Sequence, residues 1–408
     1  GNPVEQEVSR LQAGERVLVR GMGMGFFDLM ALTTIDRGGR FVDDPAAPSG
    51  LRYEATGIEP HFVVTSGRGY PYLPKSEYHS LPPKADLSRL RAAIDASEVP
   101  VSFGRDLWPA LARDAYAEYY RTLARVRPGA LKVPLDAILT AIDATDLAAA
   151  ASPDDILTVA NALTAALDGM STEPFDMAAW VDPLAGTEKL DLEELNRRIA
   201  EGMETDIAEA VRAWDSPLKA GLWAISAGRK PCAIATQNGR GPREAALSQY
   251  MAFGQMVGSG PPLFRTRELL ALFDAGLVTF LGPDPVVEVA DGCYAATSHA
   301  RSATATALAD AFLPGPDVRT SPDPLTSSLR EAGRVRPFNR TASPETDGET
   351  RRATHPDGEL DARLHIVGIP TGKQWADTTI SPMPGTDPLM LQETDKTARS
   401  LLVQAGVL

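Results

Sequence analysis

The sequence predicts an α/β fold carrying a large helical insertion, on three observations. A β-branched run, Val17-Leu18-Val19, enters the glycine-rich turn Gly21-Met22-Gly23-Met24-Gly25 and leaves through an apolar helical run. A long helical stretch then occupies residues 86–275. Strand patterns return after it, at 277–281, 286–289 and 364–367.

In chain order, Val4, Val8 and Leu11 stand at helical spacing and Gly14 stops that helix. The strand–turn–helix follows. Such a turn lets backbone N–H groups approach a phosphate, and the helix N-terminus adds about half a positive charge. The dinucleotide fingerprint asks for glycine at its first, third and sixth positions. Gly21 and Gly23 fit, whereas Phe26 holds the sixth position and Gly25 stands just before it. A phosphate-binding turn and a tight structural turn are the two readings. The helix runs to about Ile35 and ends at Gly38-Gly39, and a short strand covers 40–42. Asp43 and Asp44 stand where an acid would bind a ribose hydroxyl of NAD. Arg37, Arg40 and Arg68 would instead receive the 2′-phosphate of NADP. Both remain open, as does a plain surface role for these charges. Residues 51–55 and 61–65 flank a Gly-Ile-Glu-Pro turn and read as a hairpin. The following loop, Ser66-Gly67-Arg68-Gly69-Tyr70-Pro71-Tyr72, suits either a planar ligand or an ordinary surface.

Within the helical stretch, 106–123 and 266–275 show helical spacing. Ser152-Pro153 reads as a helix start, and Asp191 with Glu194 as a capping box. Trp108, Trp180, Trp214 and Trp223 read as core. Residues 314–361 are poor in apolar residues and read as a long irregular connection. The chain closes with the 364–367 strand, a polar loop at 371–384 and a helix over 388–405.

At 408 residues the chain has room for two or three domains. Its net charge of −14 argues against nucleic acid and anionic membranes as main partners. Cys232 and Cys293 match no zinc spacing and read as reduced thiols. There is no long apolar run and no basic-then-apolar start, so a cytoplasmic protein is expected. The histidines, His61, His79, His299, His355 and His365, sit in no metal motif, and no metal site is expected. No nucleophile elbow, Walker loop or H-E-x-x-H occurs. That pattern suits an enzyme whose chemistry belongs to a bound cofactor, and equally a non-enzyme.

Four stretches carry a family likeness. They are Gly14 to Met24 with Asp28 and Gly38 to Phe41; Asp182-Pro183-Leu184-Ala185-Gly186 with Asp215 to Ala220; Gly260-Pro261-Pro262 through Leu272 with Gly282-Pro283; and Gly368-Ile369-Pro370-Thr371 with Trp375 and Pro384-Gly385. Together the chain resembles a bacterial family of FAD/NAD(P)-binding flavoproteins related to the N-hydroxylating flavin monooxygenases, including the type that converts aspartate to nitrosuccinate. The resemblance implies a two-nucleotide-binding, Rossmann-like architecture. It implies an NAD(P)H domain over 1–85 and 276–330, with the helical insertion at 86–275. The C-terminal part of an FAD domain would cover 331–408. It implies FAD and NADPH as cofactors, and oxidation of a small amino acid's amino group through a flavin hydroperoxide. Cofactor contacts are expected at Gly21, Met22, Gly23, Met24, Gly25, Arg40, Ser66 and Arg68. Flavin contacts are expected at Gly368, Ile369, Pro370, Trp375, Thr378, Thr379, Pro384 and Gly385. A dicarboxylate substrate would want arginine forks, for which Arg240 and Arg265, then Arg243 and Arg267, qualify by residue type. The first FAD-binding strand–turn–helix of the family has no counterpart in this chain, so a preceding segment or a partner chain is expected to supply it. The alternatives are an FAD/NAD(P)H oxidoreductase without oxygen insertion and a non-catalytic nucleotide-binding subunit.

Overall fold

A computed structural model of the chain describes residues 7–312, 315–376 and 388–408. The chain forms two units. Unit one is Gly1–Leu90, Trp108–Ala227 and Ala245–Leu313; unit two is Arg91–Leu107, Gly228–Glu244 and Pro314–Leu408. The stretch 86–275 is therefore divided between the two units, and only part of it belongs with the sheet of unit one.

Unit one is mixed α/β. Its first elements are β1 (Arg16–Arg20), α1 (Met24–Thr34), β2 (Arg40–Asp43), β3 (Leu51–Glu54) and β4 (His61–Thr65). The helices that follow in the chain are α2 (Ser88–Ala96), α3 (Trp108–Val126), α4 (Leu135–Ala144), α5 (Leu157–Ala166), α6 (Ala178–Val181), α7 (Leu192–Arg212), α8 (Pro217–Ala227), α9 (Arg229–Thr236), α10 (Ala245–Gly258) and α11 (Leu263–Asp274). Then come β5 (Val278–Gly282), β6 (Val286–Ala290), β7 (Cys293–Ser298), β8 (Arg301–Ala305) and β9 (Ala307–Asp310).

The central sheet has the order β5-β4-β1-β9 and is parallel throughout. Its strands are apolar because both faces are covered. Val17, Leu18, Val19, Phe62, Val63 and Val64 are all buried. This burial corrects the expected hairpin over 51–65. His61–Thr65 joins the central sheet beside β1, and the alternating Leu51–Glu54 pairs with β2 instead. A three-stranded antiparallel sheet, β6-β7-β8, packs on the parallel one through Leu18, Val63, Leu281, Ala296 and Ala305.

Helix α7 braces the other side. Asp191 caps it by accepting from the Glu194 N–H at 2.9 Å, as its capping signal predicts. Asn196 grips β5 by donating to Phe280 O at 2.8 Å and accepting from Phe280 N at 2.7 Å. In the helical core, Trp108 is fully buried, whereas Trp214 is half exposed against Tyr78. The expected helix start at Ser152 falls later, at Leu157, where Asp155 accepts from the Leu157 and Thr158 N–H groups.

Unit two includes α9, α12 (Pro324–Glu331), α13 (Leu389–Gln404) and a two-stranded antiparallel ribbon of β10 (Arg352–Thr354) and β11 (Leu360–His365). A small core of Val318, Val335 and Ala353 supports it. Helix α12 and this core give structure to part of the expected irregular connection. No helix among the described residues is long and apolar enough to cross a membrane.

Candidate functional site

Parallel strands present their carboxyl ends together, and open α/β sheets bind ligands there. In unit one the ends of β1, β4, β5 and β9 open into a crevice of about 1480 Å³. Gly21 to Gly25 form its floor, Ser66 to Arg68 continue from β4, Pro283 to Pro285 from β5, and Ala311 and Phe312 from β9. Helices close the far side, with Leu157, Gln249 and Gln255 among the lining residues.

The three glycines of the turn do different work. Gly21 has φ +115°, and its N–H donates to Thr65 O at 2.7 Å. A Cβ on Gly21 would lie 2.9 Å from Ala311 O, and one on Gly25 2.6 Å from the same atom. Both glycines are thus demanded by the approach of the β9 exit. Gly23 differs: it caps α1 with no side-chain hydrogen bond, and a Cβ there would meet only the Tyr72 ring, at 3.7 Å. The fold tolerates a side chain at Gly23, yet that position faces the crevice at a helix N-terminus. This is the cradle a phosphate would fill.

Two guanidinium groups line the crevice. Arg20 is committed to Asp310, its partner across β1 and β9, through bonds of 2.6 and 2.7 Å. Arg68 is half-buried, and one of its N–H groups points at Met256 Sδ. Burial pulls its pKa below the ordinary value, while Tyr72 and Asp182 act in the opposite direction. Among the described residues Arg68 has no carboxylate within ion-pair distance, which leaves its charge open to an anionic ligand.

The structure brings Gly21, Met22, Gly23, Met24, Gly25, Ser66 and Arg68 onto this one crevice. Arg40 is exposed on β2 and pairs with Glu54 at 2.8 Å, off the crevice lining. Arg37 donates to the carbonyls of Val8, Leu11 and Ile58, so it ties loops together. Asp44 closes its own turn by accepting from Ala46 N. Arg265 pairs with Glu268 at 2.6 Å on α11 and lies over Phe264, and neither Arg265 nor Arg267 lines the crevice. Arg240 and Arg243 belong to unit two, where Arg240 O accepts from Val101 N and Arg243 donates to Asn339 O.

Gly368, Ile369 and Pro370 form a short turn of unit two. Trp375 is buried, donates to Thr346 Oγ1 at 2.7 Å and carries the Arg351 guanidinium 3.7 Å over its ring. Thr378, Thr379, Pro384 and Gly385 lie outside the described residues. Among the described residues no group of three or more His, Cys, Asp or Glu is placed to hold a metal ion.

The crevice residues that sequence reasoning missed are those after β9 and on the helical wall. The β9 run Ala307-Leu308-Ala309-Asp310 carries no β-branched residue, and nothing in its composition marks it as a central strand.

Comparison with known proteins bears on what this crevice serves. The chain is 29% identical over 430 aligned positions to nitrosuccinic acid synthase npaA of Aspergillus oryzae, covering 99% of this chain and 63% of that protein. The chain is similar to nitrosuccinate-forming enzymes. Two L-aspartate N-monooxygenases (nitrosuccinate-forming), of Streptomyces cremeus and Streptomyces davaonensis, are each 28% identical over 98% of this chain. The chain spans 62% and 63% of those two relatives' lengths. No protein-family model matches the chain. These relatives bear out the likeness to nitrosuccinate-forming N-monooxygenases read from the sequence.

Proposed function

We propose that the chain is the nicotinamide-nucleotide-binding part of a flavin-dependent monooxygenase that oxidises the amino group of a small acidic amino acid, aspartate in the first instance. The likeness of nearly the whole chain to nitrosuccinate-forming enzymes carries the reaction. The crevice at the strand ends supports the nucleotide.

In this reading the Gly21–Gly25 turn and the α1 N-terminus receive the pyrophosphate. Arg68 and Ser66, at the exit of β4, receive the 2′-phosphate, which makes NADPH the preferred nucleotide. β4 lies directly beside β1, where such nucleotide folds read the ribose. Asp43, Asp44 and Arg40 fall outside the lining and take no part in that choice.

FAD would supply the oxygen chemistry, accepting electrons from the nicotinamide and activating O₂. Unit two fits flavin less well than unit one fits a dinucleotide. The Trp375 ring is already covered by Arg351, so it supports its loop rather than offering an open stacking face. Flavin thus rests on the sequence resemblance and on the likeness to N-monooxygenases, with Gly368, Ile369 and Pro370 the expected contacts that form a described turn. The remaining flavin contacts come, in this proposal, from polypeptide outside residues 1–408, as a further segment or a partner chain. This chain's own task is to bind the reductant, hold it by its phosphates and keep water from its reactive ring.

The test has two arms. Titration with NADPH and NADH, followed by nicotinamide fluorescence, should show tighter binding of NADPH, lost on Arg68→Gln. With FAD supplied, NADPH oxidation should consume O₂ and convert aspartate to a more oxidised nitrogen product seen by mass spectrometry. Aspartate-independent NADPH oxidation without such a product would instead favour a hydride-transferring oxidoreductase.

A further inference from the structure

The wall of the crevice between 66 and 77 is built from a segment with no helix or strand of its own. It nevertheless presents Ser66, Arg68, Tyr70 and Tyr72 to the crevice. Within the segment Gly69 N donates to Ser66 Oγ at 2.9 Å, and the segment's other backbone groups look to what lies on either side of it. Its backbone is tied by Tyr72 N to Met22 O at 3.4 Å, Leu73 N to Met256 O at 3.1 Å, Lys75 N to Pro261 O at 2.9 Å and Glu77 N to Ala210 O at 3.1 Å.

Two side-chain ties are of another kind. Tyr70 donates its hydroxyl to Asp206 Oδ2 on α7 at 2.8 Å, and Lys219 on α8 donates Nζ to Pro74 O at 3.0 Å. Asp206 is 2% exposed and Lys219 7%. The second carboxylate oxygen, Asp206 Oδ1, is buried with no partner. Such groups are costly to bury, so their retention asks for a role. The segment seats closely against its neighbours. A Cβ on Gly202, one turn before Asp206, would come within 2.4 Å of the Tyr70 hydroxyl, and one on Gly260 would overlap the Leu73 carbonyl.

We propose that Tyr70, Asp206 and Lys219 form a buried latch that holds the 66–77 wall in its nucleotide-binding position. The latch makes nucleotide affinity depend on Asp206 and Lys219, two side chains behind the crevice. The inference rests on the nucleotide reading of the crevice. Asp206 and Lys219 are positioning residues, acting through Tyr70 and Pro74. The chemistry of the pair supports this role. Burial pushes the Asp206 carboxyl up to about 6, against the pull of Lys219 and the Tyr70 hydrogen bond, with Glu209 on the same helix adding to the rise. Burial likewise lowers Lys219. Each of the two buried charged groups then finds its side-chain hydrogen bond on the 66–77 segment, Asp206 with the Tyr70 hydroxyl and Lys219 Nζ with Pro74 O.

The experiment measures amide hydrogen exchange at 66–77 and NADPH affinity in the same variants. Tyr70→Phe keeps the ring on the crevice and removes only the bond to Asp206. Exchange at 66–77 should rise at least tenfold, with α3 and the parallel sheet unchanged, and the NADPH Kd should rise about tenfold. Asp206→Asn retains an oxygen to accept from Tyr70 and should keep both readouts within about threefold of wild type. Should Tyr70→Phe fail to fold, Lys219→Met, which frees the Pro74 carbonyl and removes the charge that attracts Asp206, carries the comparison. Unchanged exchange at 66–77 overturns the latch, and faster exchange with unchanged affinity overturns its link to binding. A wild-type chain that binds no NADPH overturns the nucleotide reading and that link together, while the exchange arm still decides whether the latch exists.

Discussion

Replacing Gly23 and Gly25 by alanine, one at a time, separates the two jobs of the glycine turn. Gly23 has φ −93° and ψ −160°, extended backbone open to any residue. Its added Cβ would make only ordinary contact with the Tyr72 ring, at 3.7 and 3.8 Å. Alanine is a slightly poorer N-cap than glycine, by about 0.5 kcal/mol, but it restricts the unfolded chain by a comparable amount. The net change in stability should be near zero, with Tm within about 2 °C of wild type. The same methyl sits in the crevice against the helix N-terminus, where the proposed pyrophosphate would approach the backbone. NADPH affinity should fall at least about tenfold, or about 1.4 kcal/mol. Gly25→Ala behaves in the opposite way. Its Cβ would lie 2.6 Å from Ala311 O and 3.1 Å from Ala311 C, both backbone atoms of the β9 exit. Forcing α1 away from β9 should cost about 1–3 kcal/mol as overpacking. Thermal unfolding by circular dichroism and fluorescence titration with NADPH read the two effects. Unchanged affinity in a folded Gly23→Ala chain refutes the pyrophosphate assignment. An unchanged Tm for Gly25→Ala refutes the packing argument.

Other consequences are testable in the same preparations. Arg68→Gln should weaken NADPH at least about tenfold and leave NADH nearly unaffected, measured by parallel titrations; equal losses would remove the 2′-phosphate from Arg68. Arg37→Ala, which leaves the carbonyls of Val8, Leu11 and Ile58 without their donor, should lower stability by about 1–2 kcal/mol without changing the Kd for NADPH, as denaturant melts and titration would show. Buried Glu59 feels a burial penalty, yet bonds from Thr56 and Tyr53 outweigh it and hold its carboxyl at about 2, below the ordinary 4.5. A depressed acid stabilises the fold above its unfolded pKa, so that contribution should be complete above about pH 4.5 and fade as pH falls toward 2. Melts of Glu59→Gln against wild type should converge across that window; a constant gap would refute the assignment.

Much of the fold was legible because its signals are local. The β1–turn–α1 unit, the Asp191 cap and the final helix stand where spacing and capping chemistry put them. Strand partners were not legible in the same way. The Gly57–Pro60 turn reads as a hairpin turn, yet His61-Phe62-Val63-Val64-Thr65 is buried at four of its five positions and belongs in a doubly covered parallel sheet. Its continuous apolar run, against the alternation of Leu51-Arg52-Tyr53-Glu54, was the available signal. The division of the chain was also out of reach. Residues 91–107 and 228–244 leave the helical stretch for unit two, and no change in composition marks those points.

For the site, residue type named candidates but partners decide among them. Arg37, Arg40, Arg68, Arg240 and Arg265 are interchangeable in a sequence. In the fold, Arg40 and Arg265 are spent on carboxylates, and Arg37 on loop carbonyls. Arg68 alone among these five lines the crevice, half-buried and, among the described residues, without a carboxylate at ion-pair distance. Partial burial beside Met256 sets Arg68 apart from the other four and costs it desolvation. An anionic ligand that enters the crevice recovers part of that cost. In the proposed reading the net negative charge and the Arg68 guanidinium act together, the one repelling polyanions in bulk and the other receiving a small anion in the crevice.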